Sequence, residues 1–354
     1  MPWVLFVYLL TTLGQSDDYI ALRKQGVSEY SARHYREAQL LLEKALEGAQ
    51  RANNSYAAAL TYSALADTYQ EQIRFEEAEQ LYRKGIAILL RERGRSHALA
   101  IMWRNLASAM IGETHYREAL EALDEASKLA QANKLQDAQL KAQILNSRGV
   151  VYFYQQKLGR AKTYFSRALQ TAGGDEKGLT TEDILNNLAR AYHSSGERAK
   201  AEEAYRKALK IAETRLGSLH PNLVIGLTNL GDLCNDLGHY DEAEDYFQRT
   251  LIILQRSANV FDETRVMEAL HGLSKTYLLK HDLIRAEPLL GRAAEIARQN
   301  VNQAIMIPEI LHILDDYTKL LSELRRPADA DRLHAEAQRI RATAAFTVQV
   351  KPKW

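Results

Sequence analysis

The sequence has very little cysteine or proline, and no excess of charge of either sign. Cys234 is the single cysteine among 354 residues, so the chain can form no internal disulfide, cysteine-based zinc site or redox pair. Only 6 prolines occur, which leaves long stretches free of helix breakers. Basic residues number 46 and acidic residues 45, and we see no clustered basic excess. We therefore expect neither nucleic acid nor an anionic membrane as a partner.

The first fourteen residues are mostly apolar. Residues 3–13 form a run of eleven, which is too short for a membrane-spanning helix of about 20 residues. Its length is typical of a signal-peptide core, and Thr12 and Gly14 are small residues at the two positions that a signal peptidase recognises before its cleavage site. No Lys or Arg precedes the run, so the alternative is a buried first helix in a cytoplasmic protein. We predict a signal peptide over 1–14, with export to the periplasm or the extracellular space.

A pattern of three small residues recurs seven times along the chain. The middle residue of each triplet follows the first by twelve positions and precedes the last by seven, and successive middle residues are 40 to 43 apart. The triplets are Gly26/Ala38/Ala45, Ala66/Ala78/Gly85, Ala107/Ala119/Ala126, Gly149/Ala161/Ala168, Ala189/Ala201/Ala208, Gly231/Ala243/Thr250 and Ser274/Ala286/Ala293. A large apolar residue stands four positions after each middle one: Leu42, Tyr82, Leu123, Phe165, Tyr205, Phe247 and Leu290.

This pattern predicts pairs of helices joined by a tight turn. In the segment 238–254, Ala243, Phe247, Thr250, Leu251 and Leu254 recur at helical spacing and make one apolar stripe. Small residues let two helices approach closely, and large ones fill the space between neighbouring pairs. One pair cannot bury its apolar face alone, so stacked pairs are needed to form a continuous core.

The order of small residue, alanine, aromatic or leucine, and small residue resembles the tetratricopeptide repeat (TPR). The period near 42 exceeds the usual 34 of that family, and the segments 185–192 and 216–233 are similar to the kinesin light chain type. The resemblance covers about residues 19–341. It implies an all-α, right-handed α-solenoid, or superhelix, of about seven helix pairs with a degenerate C-terminal capping pair.

The ends of the repeat array are irregular. After residue 326 an eighth pair is degenerate, and either Ala328 or Ala330 is its small middle residue. We place the solenoid at 15–342 and a C-terminal tail at 343–354. Residues 345–354 alternate in hydropathy as a short strand does, and the tail is either disordered or bound back in a groove.

The sequence carries no recognisable catalytic motif. It has no phosphate-binding loop, no nucleophile elbow, and no pair of histidines at helical metal-ligand spacing. His97, His193 and His271 lie in different repeats, and Cys234 reads as a small core residue. We expect no enzymatic activity, no metal and no cofactor.

Asparagine recurs once per repeat on the polar side of the first helices. In the resembled family the first helices line the concave groove, so the resemblance implies that Asn105, Asn146, Asn187 and Asn229 face a ligand. Each amide can both donate and accept a hydrogen bond, which suits the main chain of an extended peptide. The alternative is that these amides brace neighbouring helices.

The same side of the first helices carries charged and aromatic residues. Arg104, Arg190 and Asp232 would add charge selectivity to a peptide groove. Phe153 is either an anchor for an apolar ligand side chain or a core residue.

Three classes of function remain open. The first is a scaffold that holds a peptide or an extended protein segment in the concave groove. The second is a peptide-sensing regulatory protein that switches a partner. The third is an enzyme, or a fragment of one, in which the repeats are accessory, and the missing motifs argue against it. The predicted partner is a protein or peptide, without membrane insertion of the mature chain, and the oligomeric state stays open.

Overall fold

The computed structural model describes residues 18–91, 96–132, 137–173, 179–256, 263–301 and 306–350. Sixteen α-helices and one short 3-10 helix make up the regular structure of these ranges. The α-helices are Asp18–Ser31 (α1), Tyr35–Arg51 (α2), Ser55–Glu71 (α3), Phe75–Leu89 (α4), Ser96–Gly112 (α5), Tyr116–Ala132 (α6), Ala138–Tyr154 (α7), Leu158–Thr171 (α8), Leu179–Ser194 (α9), Arg198–Leu216 (α10), Val224–Leu237 (α11), Tyr240–Arg256 (α12), Glu263–Leu279 (α13), Leu283–Gln299 (α14), Ile307–Glu323 (α15) and Pro327–Val350 (α16).

The helices follow the predicted alternation of first and second members. The chain divides into two compact units, residues 1–195 (unit 1) and 196–354 (unit 2). Within each unit, a first helix packs against the second helix that follows it, and that second helix packs against the next first helix. The predicted all-α architecture of stacked helix pairs is therefore confirmed.

A left-handed residue ends the turn between the two helices of every pair. The positions are Arg33, Ile73, Thr114, Gln156, Gly196, Gly238, His281 and Arg325, with φ between 58° and 79°. This conformation suits glycine and costs most other residues about 1–2 kcal/mol. In seven of the eight turns, all but the one at Gly196, the amide just after the left-handed residue donates a hydrogen bond to a carbonyl at the end of the first helix, which stabilises the turn.

The small residues lie where helices approach most closely. All seven predicted triplets are buried, and the seven large residues that follow them are at most 2% exposed. A Cβ atom added to Gly149 would lie 2.4 Å from the ring of Phe165, and one added to Gly272 would lie 2.2 Å from the ring of Phe247. The aromatic ring of a second helix thus occupies the space that a first-helix side chain would need.

The C-terminal end differs from the sequence prediction in one respect. Residues 345–350 belong to the end of α16, so their strand-like alternation does not correspond to a strand, and 351–354 lie outside the described residues. A single strand would leave its backbone groups unpaired, since the described residues contain no strand that could pair with it, whereas a helix satisfies those groups internally. Ala330 is buried and Ala328 is exposed, so Ala330 is the small middle residue of the eighth pair.

The predicted signal peptide, 1–14, lies outside the described residues and stays a prediction. None of the helices in the described ranges combines the length and the apolar character that a membrane crossing requires.

We expect Gly149→Ala to destabilise the chain by about 1–3 kcal/mol, because the new methyl group overpacks the contact with Phe165. Gly159 provides the control, since it lies in α8 with no atom within 4 Å of its added Cβ. Gly159→Ala should instead stabilise by about 0.5–1 kcal/mol through helix propensity. Urea denaturation of both variants measures the contrast, and equal effects would show that the close contact is misplaced.

Candidate binding surface on the first helices

The first helices of unit 1 lie on the inner side of the stack. Each first helix touches the next one, α1 with α3, α3 with α5, α5 with α7 and α7 with α9, whereas successive second helices are less closely packed. Helices on the shorter side of a curved stack are closer together. We call the polar side of α3, α5, α7 and α9 the inner face of unit 1. Its members include Ser63, Asp67, Gln70, Arg104, Asn105, Ser108, Asn146, Asn187 and Arg190.

A hydrogen-bonded network joins α3, α4 and α5 at this face. Asp67 accepts hydrogen bonds from the Tyr82 hydroxyl at 2.5 Å and from Asn105 Nδ2 at 3.1 Å. Burial raises the pKa of the Asp67 carboxyl to about 6, although the bond from Tyr82 opposes the rise. Arg104 donates to Asn105 Oδ1 at 2.6 Å, and burial lowers the pKa of its guanidinium. The amide of Asn105 is therefore held between an acid and a base.

The predicted asparagines brace neighbouring first helices. Asn105 links α5 to α3 through Asp67, and Asn187 on α9 donates to Asn146 Oδ1 on α7 at 3.2 Å. All three amides are half-buried. Asn105 uses one donor and its acceptor, and Asn146 and Asn187 use one group each, so every amide keeps at least one further donor, because an amide offers two donors and an acceptor. Bracing and recognition can thus share the same side chains.

The fourth predicted asparagine belongs to unit 2. Asn229 on α11 is half-buried, and its Nδ2 has no hydrogen-bond partner among the described residues. Asp232, one turn further along α11, is also half-buried. Asn235 is buried and donates to the Gly272 carbonyl at 3.5 Å, so it joins α11 to α13.

Phe153 and Tyr154 have different surroundings at the end of α7. Phe153 is half-buried and packs against the core of α7, α8 and α9, which favours the core interpretation. The Arg190 guanidinium lies over its ring, 4.9 Å from the centroid. Tyr154 meets the same ring edge-on at 5.7 Å and is 46% exposed. The sequence shows an aromatic pair here, but not which of its members is available to a ligand.

Several buried polar atoms of unit 1 lack a hydrogen-bond partner within the described protein. They share a location on first helices and are Gln70 Oε1, Arg104 Nε, Gln139 Oε1, Thr181 Oγ1 and Asn186 Oδ1. Such a group costs about 1–3 kcal/mol when it is left unpaired. First helices of unit 1 therefore hold more hydrogen-bonding capacity than the fold itself uses.

The repeats match known family models. Two models, both described as tetratricopeptide repeat, match residues 58–99 and, in overlapping stretches, 140–214 and 180–256. The chain contains tetratricopeptide repeats. The matches do not single out the kinesin light chain type, which stays a resemblance.

Curated relatives are distant and longer than this TPR chain. Human tetratricopeptide repeat protein 29 is 26% identical over 194 residues, which are 52% of this chain and 39% of the relative. The mouse mitochondrial tetratricopeptide repeat protein 19 is 21% identical and covers 82% of this chain and 71% of the relative. The chain thus spans well under half the length of the first of these relatives.

Solved structures share the fold of the TPR chain at low identity. A signal transduction ATPase with numerous domains, from Pyrococcus horikoshii and with a tetratricopeptide repeat sensor, aligns with a TM-score of 0.63 at 15% identity, over 93% of this chain and 49% of that one. A Rap protein complexed with competence and sporulation factor aligns with a TM-score of 0.60 at 13% identity, over 94% and 99% of the two chains. These likenesses show the fold alone.

One histidine of the TPR chain lies between two acids in unit 2. His271 on α13 meets Glu309 Oε1 at 2.9 Å and Asp316 Oδ2 at 3.1 Å, both on α15. Burial alone would lower the pKa of His271, but the two hydrogen bonds outweigh it and raise the pKa to about 9. The same contact lowers the pKa of Asp316 to about 2. His271 is therefore a positively charged brace between first helices, unsuited to act as a general base at neutral pH.

The single cysteine of the TPR chain is not activated as a nucleophile. Cys234 is buried, and burial raises the pKa of its thiol to about 11, which disfavours the nucleophilic thiolate. No cluster of three metal-ligating side chains occurs in the described ranges.

The His271 brace predicts a specific pH dependence of stability. Because folding raises the pKa of His271 from 6.5 to about 9, its contribution is complete below pH 6.5 and is lost as the pH rises through 9. The loss is on the order of 3 kcal/mol. His271→Gln should abolish this decline, measured by urea denaturation across the window, while the exposed control His312→Gln should keep it. A decline of equal size in His271→Gln would assign it to other groups.

Proposed function

We propose that the chain is a non-catalytic interaction scaffold whose inner face of unit 1 holds an extended segment of a partner protein. The observation that carries this proposal is the surplus of incompletely bonded polar side chains on those first helices. Gln70, Arg104, Gln139, Thr181 and Asn186 each bury a polar atom without a partner. Turning such a side chain toward a ligand exchanges an unsatisfied atom for a hydrogen bond, so the rearrangement is favourable.

An extended segment suits this surface better than a folded domain. The main chain of an extended segment offers donors and acceptors at regular intervals, whatever its sequence. The inner face presents half-buried amides at one-repeat intervals, Asn105, Asn146 and Asn187, with spare bonding capacity. Binding would thus rest on main-chain contacts and depend weakly on ligand sequence.

Selectivity would come from the few distinctive side chains at the surface. Tyr154 is a rigid aromatic residue, nearly half of whose surface is exposed, and it can anchor an apolar ligand side chain. Arg190, held over Phe153, and Arg104 would favour an acidic group nearby in the ligand. In unit 2, Asn229 and Asp232 would serve as a separate contact site of the same kind.

We expect Tyr154→Ala to weaken binding about tenfold or more, which corresponds to ~1.4 kcal/mol, with little effect on stability. The ligand is a peptide selected from a displayed random library on the full-length chain, and affinity is measured by calorimetry. Leu90→Ala is the control, because Leu90 is a large exposed residue of unit 1 at the end of a second helix. Equal affinities for Tyr154→Ala and the wild type would contradict the anchor.

Substitution of an asparagine distinguishes two roles of its amide, bracing of neighbouring helices and recognition of a ligand. Asn187→Ala removes the bond to Asn146 and should cost about 0.5–1.5 kcal/mol of stability. If the same amide also contacts the ligand, affinity falls several-fold in addition. A loss of stability at unchanged peptide affinity would assign Asn187 to bracing alone.

A further inference from the structure

The fourth helix pair differs from all others in charge. Residues 138–174 contain no Asp or Glu, and this stretch includes the whole of α7 and α8. It contains six basic residues: Lys141, Arg148, Lys157, Arg160, Lys162 and Arg167. The net charge of +1 for the whole chain conceals this local excess, so our expectation of no basic cluster is wrong for this pair.

A cleft opens on this basic pair, away from the inner face. It has a volume of about 380 Å³ and is bounded by the second helices α6 and α8, with α7 between them. Arg148 of α7 contributes a side chain that is only 15% exposed and is held by Asp124 and, at 3.3 Å, by Ser127. Lys128 and Arg167 line the cleft from α6 and α8, and Asp124 is the acid in its lining. Lys128 forms an ion pair with Glu125 at 2.6 Å, whereas Arg167 lies on an aromatic ring.

Aromatic rings hold two further arginines in position beside the cleft. Tyr152 and Tyr164 stack with centroids 5.2 Å apart and an angle of 22° between their planes. The Arg160 guanidinium lies 5.5 Å from the Tyr152 centroid, and that of Arg167 lies 5.6 Å from the Tyr164 centroid. Both distances are within the range of a cation–π contact.

The guanidinium N–H groups of these two arginines are available to hydrogen-bond with a ligand. Among the described residues, neither Arg160 nor Arg167 forms an ion pair with an acid. Stacking on a ring fixes a guanidinium while its N–H groups stay available, and this arrangement suits a carboxylate that binds through two oxygens.

We propose that this basic cleft of α6, α7 and α8 binds an acidic segment of a partner protein, with its Asp or Glu carboxylates on Arg167 and Arg160. Charge complementarity selects this occupant. The excess of cations is confined to α7 and α8, because α6, the third wall of the cleft, carries Glu118, Glu121, Asp124 and Glu125. A short acidic segment can lie along α8 without meeting these acids. A nucleic acid needs a longer basic stripe and would be repelled at that boundary.

The cleft is a second site, separate from the inner face. It uses the outer surface of α8, whereas the proposed peptide groove uses the first helices. Each proposal can therefore fail without the other.

The test uses the full chain and a fluorescein-labelled peptide of alternating Glu and Ser, with fluorescence anisotropy as the readout. The double variant Arg160→Gln/Arg167→Gln should lose about tenfold or more in affinity, because two charge-assisted contacts disappear. Added salt should weaken wild-type binding, since both arginines are exposed. Circular dichroism should show an unchanged melting temperature, because these side chains bury little surface.

The control is Arg36→Gln/Lys84→Gln, which removes the same charge from exposed positions on α2 and α4. It should bind the acidic peptide within twofold of the wild type, on the scale of surface electrostatics. Equal losses in the two double variants, or no binding by the wild type, would overturn the proposal. Tighter binding of a single-stranded DNA of the same charge than of the acidic peptide would overturn the assignment to a protein partner.

Discussion

The structure depends on one steric constraint, the contact between a small residue on a first helix and a ring or leucine on a second helix. Phe165 fills the space above Gly149, and Phe247 lies against both Gly231 and Gly272. Because the ring of Phe247 reaches glycines of two successive first helices, one side chain fixes the geometry within a pair and between pairs. Repetition of this contact builds the stack and brings first helices together on its inner side.

That closeness explains the chemistry of the first helices. Polar side chains that face a neighbouring first helix must bond with it or remain unsatisfied. Three sets of side chains form such hydrogen bonds with a neighbouring first helix: Asn187 with Asn146, Asn105 with Asp67, and His271 with its two acids. Gln70, Gln139 and Asn186 still carry an unpaired oxygen. The close packing of first helices thus produces both the hydrogen bonds that brace them and the unpaired polar groups that can bind a ligand. For this reason we assign both roles to the same face of these helices.

The fold was predictable from sequence because the small residues and the large residue that packs on them stand at short, fixed spacings that recur seven times. Every triplet residue, from Gly26 to Ala293, is buried as its spacing implies. The partners of the polar residues were not predictable, since Asn105 and Asp67 are 38 positions apart and meet only through helix packing. The same holds for His271, whose acids lie on another helix. The basic pair of α7 and α8 is visible in the sequence, but a near-zero net charge conceals it.

A crystal structure of the full chain with a library-selected peptide tests the central claim most directly. We expect an extended peptide whose main-chain atoms lie within ~3.5 Å of amide or guanidinium groups on α3, α5, α7 or α9. Tyr154 should contact one of its apolar side chains. A peptide seated elsewhere, with no main-chain hydrogen bond to a first helix, would contradict the account.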